Sequence, residues 1–252
     1  MPKLMQTDEN LENFNSIGAG GFQFSAIRPD KLGATEYTLA TILLDVTGSV
    51  LTFSNDLLKM VIAIVAACKK SPRAENLLLR LVTFNYNNNI NELHGFKLLN
   101  LIDPKDYKDF TCQGMTALYD ATYETICATL TYSKTLIDQD FNVNGIIFII
   151  TDGADNDSRV ASTNMIKKKI LESLKSENIE SLTTVLIGIN AQDCKQYLEN
   201  FQKDSGITQF IDVGQATPQK IAKVGGFVSK SISSTSQALG TGSASQLITN
   251  TF

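Results

Sequence analysis

The chain has 252 residues, 43 % of them apolar and 19 % charged, with a formal net charge of −4. That is the ordinary balance of a soluble globular protein, with length for one sizeable core plus tails. It speaks against nucleic-acid binding, because the densest basic stretch, Lys167-Lys168-Lys169, lies in a helical pattern beside Glu172 and reads as a solvated helix face.

The four cysteines, Cys68, Cys112, Cys127 and Cys194, lack the close spacing of a zinc knuckle, and His94 is the only histidine. They read as free thiols in a reducing compartment. The polar, acidic start has no charged-then-apolar signal pattern, and the apolar runs read as too short to cross a bilayer. The expectation is a protein without a membrane segment, cytoplasmic or part of an assembly formed in the cytoplasm. Asn156-Asp157-Ser158 matches a glycosylation acceptor but has no secretory route to accompany it.

Residues 1–35 read as an N-terminal arm; Gly18-Ala19-Gly20-Gly21 lacks the preceding strand and following helix that a nucleotide loop needs. Residues 37–44 form a buried strand ending at Asp45, and 56–70 a helix stopped by lysines ahead of Pro72. A second strand over 77–84 and a polar turn over 85–91 lead to an edge strand or hairpin over 90–101. Leu118, Ala121, Thr122, Ile126, Leu130 and Leu136 give a helical stripe over 116–136. The run GIIFII at 145–150, apolar throughout, has the pattern of a central strand covered on both faces. Helix 162–176, strand 181–189, helix 191–203, strand 208–213 and helix 218–233 complete the series, with Pro218 suited to a first turn. Residues 234–252 are small and polar, the composition of a linker or docking tail.

Strands alternating with helices predict a doubly wound α/β domain over 36–233, its sheet mostly parallel and covered on both faces. Ligands bind such sheets at the carboxyl ends of the strands. There the first strand runs into Asp45-Val46-Thr47-Gly48-Ser49, and GIIFII runs into Thr151-Asp152-Gly153-Ala154-Asp155. Between them, Gly114-Met115-Thr116-Ala117 opens the helix before GIIFII. Asp45, Thr47, Ser49, Thr116 and Asp152 are all oxygen donors, a set that suits a hard divalent cation of the magnesium type. Taken singly, these features have bland readings, a helix cap for Asp45 to Ser49 and a turn for Asp152-Gly153. Gly48 is read as the residue that permits the tight turn.

In combination, Asp45-Val46-Thr47-Gly48-Ser49, Thr116 within GMTALYDA and Asp152 within FIITDGADN resemble the metal-ion-dependent adhesion site of the von Willebrand factor A family, with threonine at position 47 in place of the commoner serine. The resemblance covers residues 36–233 and implies a Rossmann-like sheet of about six strands, the second or third antiparallel at one edge. It further implies Thr47, Ser49 and Thr116 as hydroxyl ligands of Mg2+ (or Mn2+), with Asp45 and Asp152 acting largely through water. One position is left for an Asp or Glu of a protein partner, and Asp155 is a further candidate for holding water. The last helix could relay occupancy to the tail, eased by Gly225-Gly226.

On this reading the chain is an interaction module and not an enzyme. Two alternatives stay open. One is a structural subunit of a large assembly, such as a virus particle. The other is a Mg2+-dependent phosphoryl-transfer enzyme, disfavoured because Thr47 stands where such enzymes carry a second aspartate and no phosphate-cradling loop is present.

Overall fold

The computed structural model describes residues 10–18, 21–86, 90–175 and 178–243. Among these the strands are β1 (Leu11–Asn15), β2 (Gln23–Ile27), β3 (Glu36–Asp45), β4 (Leu77–Phe84), β5 (Ile90–Leu98), β6 (Asn142–Thr151), β7 (Leu182–Ile189) and β8 (Gln209–Gly214). The α-helices are α1 (Ser54–Cys68), α2 (Leu118–Ile137), α3 (Thr163–Lys175), α4 (Lys195–Ser205) and α5 (Pro218–Thr241). The strands form one sheet in the order β1-β2-β5-β4-β3-β6-β7-β8. β4, β3, β6, β7 and β8 are mutually parallel, while β5 runs antiparallel to β4.

The apolar runs are continuous because alternate residues serve two cores. Ala40, Ile42 and Leu44 of β3 face α1 and α5, together with Ile146, Phe148 and Ile150 of β6. Leu43, Ile147 and Ile149 face α2, α3 and α4. The stretch Gly48–Cys68 is, by length and composition, apolar enough to cross a membrane, contrary to the reading of the apolar runs. Here it is a core helix: Leu57, Met60, Val61, Ile64 and Val65 of α1 are buried against the sheet and α5.

Two segments differ from expectation. Residues 10–35 are no loose arm, since β1 and β2 form an antiparallel hairpin that extends the sheet beyond β5. The hairpin is attached at one backbone register pair, Ala26 to Phe96, and by a polar knot. Glu92 on β5 accepts from Ser25 N (2.8 Å), Ser25 Oγ (2.6 Å) and Arg80 Nε (2.7 Å). The Arg80 guanidinium lies over both the Phe24 and Phe96 rings, 5.6 and 5.8 Å from their centroids. Gly95 permits this approach, because a Cβ there would stand 1.8 Å from the Ser25 carbonyl oxygen. Sequence patterning misses the hairpin because its strands are five residues each and mostly polar in β1. Residues 1–9 and 19–20 of the expected arm lie outside the described residues.

The second difference is α5, which continues to Thr241, past the expected end at 233. Thr217 Oγ1 caps it by accepting from Lys220 N (3.3 Å). Of the small polar residues that suggested a tail, Thr235 and Ser236 are buried, as is Leu239. Small side chains here let the helix lie close to its neighbours, and Arg73 clasps its far end, pairing with Glu36 and donating from Nε to Ser236 Oγ (3.1 Å). Of the glycine pair, Gly225 sits where a Cβ would meet Met60 Cγ at 3.2 Å, whereas Gly226 faces open space. Close packing therefore accounts for one glycine only. Residues 244–252 of the expected tail lie outside the described residues.

Candidate metal centre

β3 and β6 are neighbours, so Asp45 and Asp152 leave the carboxyl end of the sheet side by side. Asp45 Oδ1 accepts from Thr47 N (2.9 Å) and Oδ2 from Thr151 Oγ1 (2.6 Å). Thr47 Oγ1 lies 3.2 Å from Ser49 Oγ, which donates to Asp152 Oδ1 at 2.9 Å. Four of the five anticipated donors thus form one linked chain, Asp45–Thr47–Ser49–Asp152. The fifth, Thr116 Oγ1, faces the residue after Asp152, 3.9 Å from where a Cβ on Gly153 would stand.

The loop that carries Thr116 is fixed from both sides. Gln113 N donates to Val46 O (3.0 Å) and Gly48 N to Gly114 O (3.3 Å), stitching it to the Asp45 loop. On the other side Thr116 N donates to Asn156 Oδ1 (2.7 Å), and Thr116 O accepts from Asn156 N and Asp157 N. Gly48 does not have the role expected of it: its φ is not positive and a Cβ would find only Gly114 O at 3.9 Å. The glycine that the turn requires is Gly114, with φ +78° and the Tyr86 ring lying where a Cβ would be.

Asp45 is 1 % exposed, and burial raises its pKa to about 6, with the charge of Asp152 adding to the rise against the lowering by Thr151 and Thr47. Asp152 is raised too, first by burial. No Lys or Arg occurs in residues 45–55, 111–118 or 151–158, and the next basic residue along the Asp152 loop, Arg159, pairs with Asp157 rather than with Asp45 or Asp152. Five oxygen-bearing side chains, two of them under-compensated carboxylates, fit a hard divalent cation and not a soft one. Cys112, half-buried, lies near enough for Asp45 and Asp152 to raise its pKa, after the larger effect of burial. Among the described residues no group of three or more His, Cys, Asp or Glu side chains is placed to hold a metal, so hydroxyls are indispensable to any site here.

Asp155 is engaged elsewhere. Its Oδ1 accepts from Tyr119 N (3.1 Å) at the start of α2, and it pairs with Ser158 Oγ. Three supporting residues escaped sequence reasoning: Thr151, which holds Asp45; Asn156, which holds Thr116; and Asp120. The last, buried on α2, accepts from the backbone N–H groups of Arg159, Val160 and Ala161 at 2.6–3.1 Å. The polar density of TDGADNDS is the one signal that could have pointed to the first two.

Beside the site, a cleft of about 510 Å³ opens between the β4–β5 ends and the loop over 102–113, sharing Val46 and Gln113 with the metal loops. His94 lines it. Its Nδ1–H donates to Gly95 O (2.9 Å), so Nε2 accepts from Tyr107 Oη (2.8 Å) and the ring is held neutral. Burial lowers its pKa to about 4, with Lys97 and Arg80 lowering it further and Gly95 and Glu92 opposing. A depressed folded pKa gives stability present above the unfolded value near 6.5 and lost as pH falls through 4. Between pH 7.5 and 5 the loss is about 2 kcal/mol. Denaturant titration should therefore show wild type losing about 2 kcal/mol more than His94→Gln over that interval; parallel pH profiles would contradict it.

No family model matches the chain, and no curated protein matches it in sequence. Solved structures match in fold. The pilus adhesin SpaC from Lactobacillus rhamnosus GG aligns with a TM-score of 0.55 at 9 % identity, over 84 % of this chain and 32 % of that one. The PilB minor pilin from Streptococcus sanguinis gives 0.53 at 15 %, over 84 % and 65 %. Proximal thread matrix protein 1 from the mussel byssus gives 0.50 at 14 %, over 79 % and 47 %. The chain spans 32–65 % of the length of these proteins. With the strand order described above, they identify a doubly wound, von Willebrand factor A-like α/β fold. It has eight strands where about six were expected, and its antiparallel strand β5 is covered by the hairpin and is not an edge.

Proposed function

We propose that this chain is a non-catalytic protein-interaction module that grips a carboxylate of its partner through Mg2+, with Mn2+ able to substitute. The observation that carries this reading is the convergence of two buried carboxylates and three hydroxyls, with the one basic residue of the Asp152 loop, Arg159, paired instead with Asp157. Without a cation such loops repel an acidic partner; with one they attract it. Thr47, Ser49 and Thr116 would offer hydroxyl oxygens to the ion, and Asp45 and Asp152 would supply charge, largely through water. The ion's chemistry is charge and directional coordination: a cation that retains waters exchanges one for an incoming Asp or Glu oxygen.

The resemblance of the fold to a pilus adhesin and a minor pilin supports an interaction role. The same likeness, with that to a byssal matrix protein, also suits a subunit of a larger assembly in which the ion bridges neighbours. A cytoplasmic site of assembly belongs to this proposal as well. Isothermal calorimetry of the purified chain with MgCl2 tests the reading. Wild type should bind, and Asp45→Ala should show no heat while keeping its circular dichroism spectrum. Equal heats from the two proteins would sink the assignment.

A further inference from the structure

The sequence on either side of the proposed ion carries large side chains that the fold leaves in solvent. The 3-10 turn Gly48–Phe53, which follows Thr47, buries Val50 and Phe53 and leaves Leu51 outward, 62 % exposed. On the facing loop Met115, one residue before the buried Thr116, is 49 % exposed. The two loops are one surface, joined by the Gly48 N to Gly114 O hydrogen bond, with the Tyr86 ring lying against Gly114. Large apolar side chains exposed singly call for no explanation, but two on joined loops beside a candidate cation site offer a partner apolar surface to bury next to its polar contact, shielding that contact from water.

We propose that the partner of this site presents one acidic residue flanked by apolar side chains, which seat on Leu51 and Met115. This rests on the metal-bridge reading above and specifies what the bridge selects. Charge decides the flanks. The loops contribute Asp45, Asp152, Asp155 and Asp157 against one basic residue, Arg159, which pairs with Asp157, so even with a divalent cation they hold no surplus positive charge for a second incoming carboxylate. A second acid beside the first would face Asp152 and Asp155, and the one basic residue of that loop, Arg159, is already paired with Asp157. Basic flanks gain little either, because Asp45 and Asp152 are buried behind the ion. Uncharged apolar flanks gain from covering Leu51 and Met115, and that burial removes water from around the ion and strengthens its bond to the carboxylate.

The test is selection from a displayed peptide library with a fixed central Glu and three randomised residues on each side, on the full immobilised chain in MgCl2, with elution by EDTA. The eluted pool should be enriched in Leu, Ile, Met and Phe next to the Glu and depleted in further Asp and Glu. A peptide from that pool should bind the Leu51→Ser, Met115→Ser double variant at least fivefold more weakly than wild type. A Mg2+ titration of the same variant by calorimetry reports separately on the ion. An EDTA-eluted pool without apolar enrichment, or one rich in acidic runs, overturns the proposal while leaving the metal bridge standing. Equal binding of the selected peptide by the double variant does the same. A pool released equally with and without EDTA, or wild type that takes up no Mg2+, removes the metal bridge and the proposal together.

Discussion

Glu92→Ala should lower the unfolding free energy by about 3–5 kcal/mol, measured by urea titration at neutral pH. The size follows from what Glu92 leaves behind. Arg80 is 1 % exposed, packed against two phenylalanine rings, and its Nη1 has no hydrogen-bond partner; the Glu92 carboxylate is its counter-ion. Burial already lowers the Arg80 pKa, and Glu92 is what opposes that shift. Removing the carboxylate strands a buried charge and leaves the Ser25 N–H and hydroxyl without their acceptor. The double variant Arg80→Met, Glu92→Leu should recover the part of the loss that comes from the stranded charge, since apolar replacement of both partners of a buried pair is often neutral, while Ser25 stays without its acceptor. A loss below about 1 kcal/mol for Glu92→Ala would show that water reaches Arg80 in the folded protein.

Asp45→Asn should change stability in opposite directions with and without magnesium. In EDTA at pH 7.5 the variant should be more stable than wild type by about 1–3 kcal/mol. The sign follows from the raised carboxyl pKa. Below the unfolded value of 3.8 the group is protonated in both states and costs nothing; above about 6 the folded state carries the full cost of a buried charge beside Asp152. Asn keeps one oxygen for Thr47 N and presents its NH2 to Thr151 Oγ1, which can accept. In millimolar MgCl2 the wild type should gain stability, by the logarithm of its saturation, and the variant should not. Thermal melts of both proteins in both buffers give the four values needed. Equal responses of the two proteins to Mg2+ would contradict the site.

The sequence announced the parallel sheet because its strands are buried on both faces, which writes them as unbroken apolar runs such as GIIFII. It pointed to the candidate site because three separate loops place hydroxyls and carboxylates at one edge of the sheet, a conjunction that a helix cap or a turn alone does not explain. The missed parts are those whose stability comes from distant partners. β1 and β2 depend on Glu92, Arg80 and Gly95, some 70 residues away, and have little apolar periodicity of their own. The end of α5 is helical because Thr235 and Ser236 are small enough to be buried against neighbours, and composition alone reads such residues as linker. Thr151 and Asn156 escaped because supporting hydrogen bonds follow no fixed spacing.

The polarity of the added hairpin has a consequence for how this molecule can be tethered. β1 runs parallel to β3, because it is antiparallel to β2, which lies parallel to the reversed strand β5. Its first residue therefore sits at the amino-terminal pole of the sheet, where Arg28 N holds Asn10 O. α5 starts at the carboxyl-terminal pole after β8 and descends to the same amino-terminal pole, where its end meets Arg73 and Glu36, the first residue of β3. Both ends of the described chain thus leave from the pole opposite Asp45 and Asp152. Anything joined to residue 10 or to residue 243 holds the domain by its base and turns the acidic face outward, like a lamp on its stem.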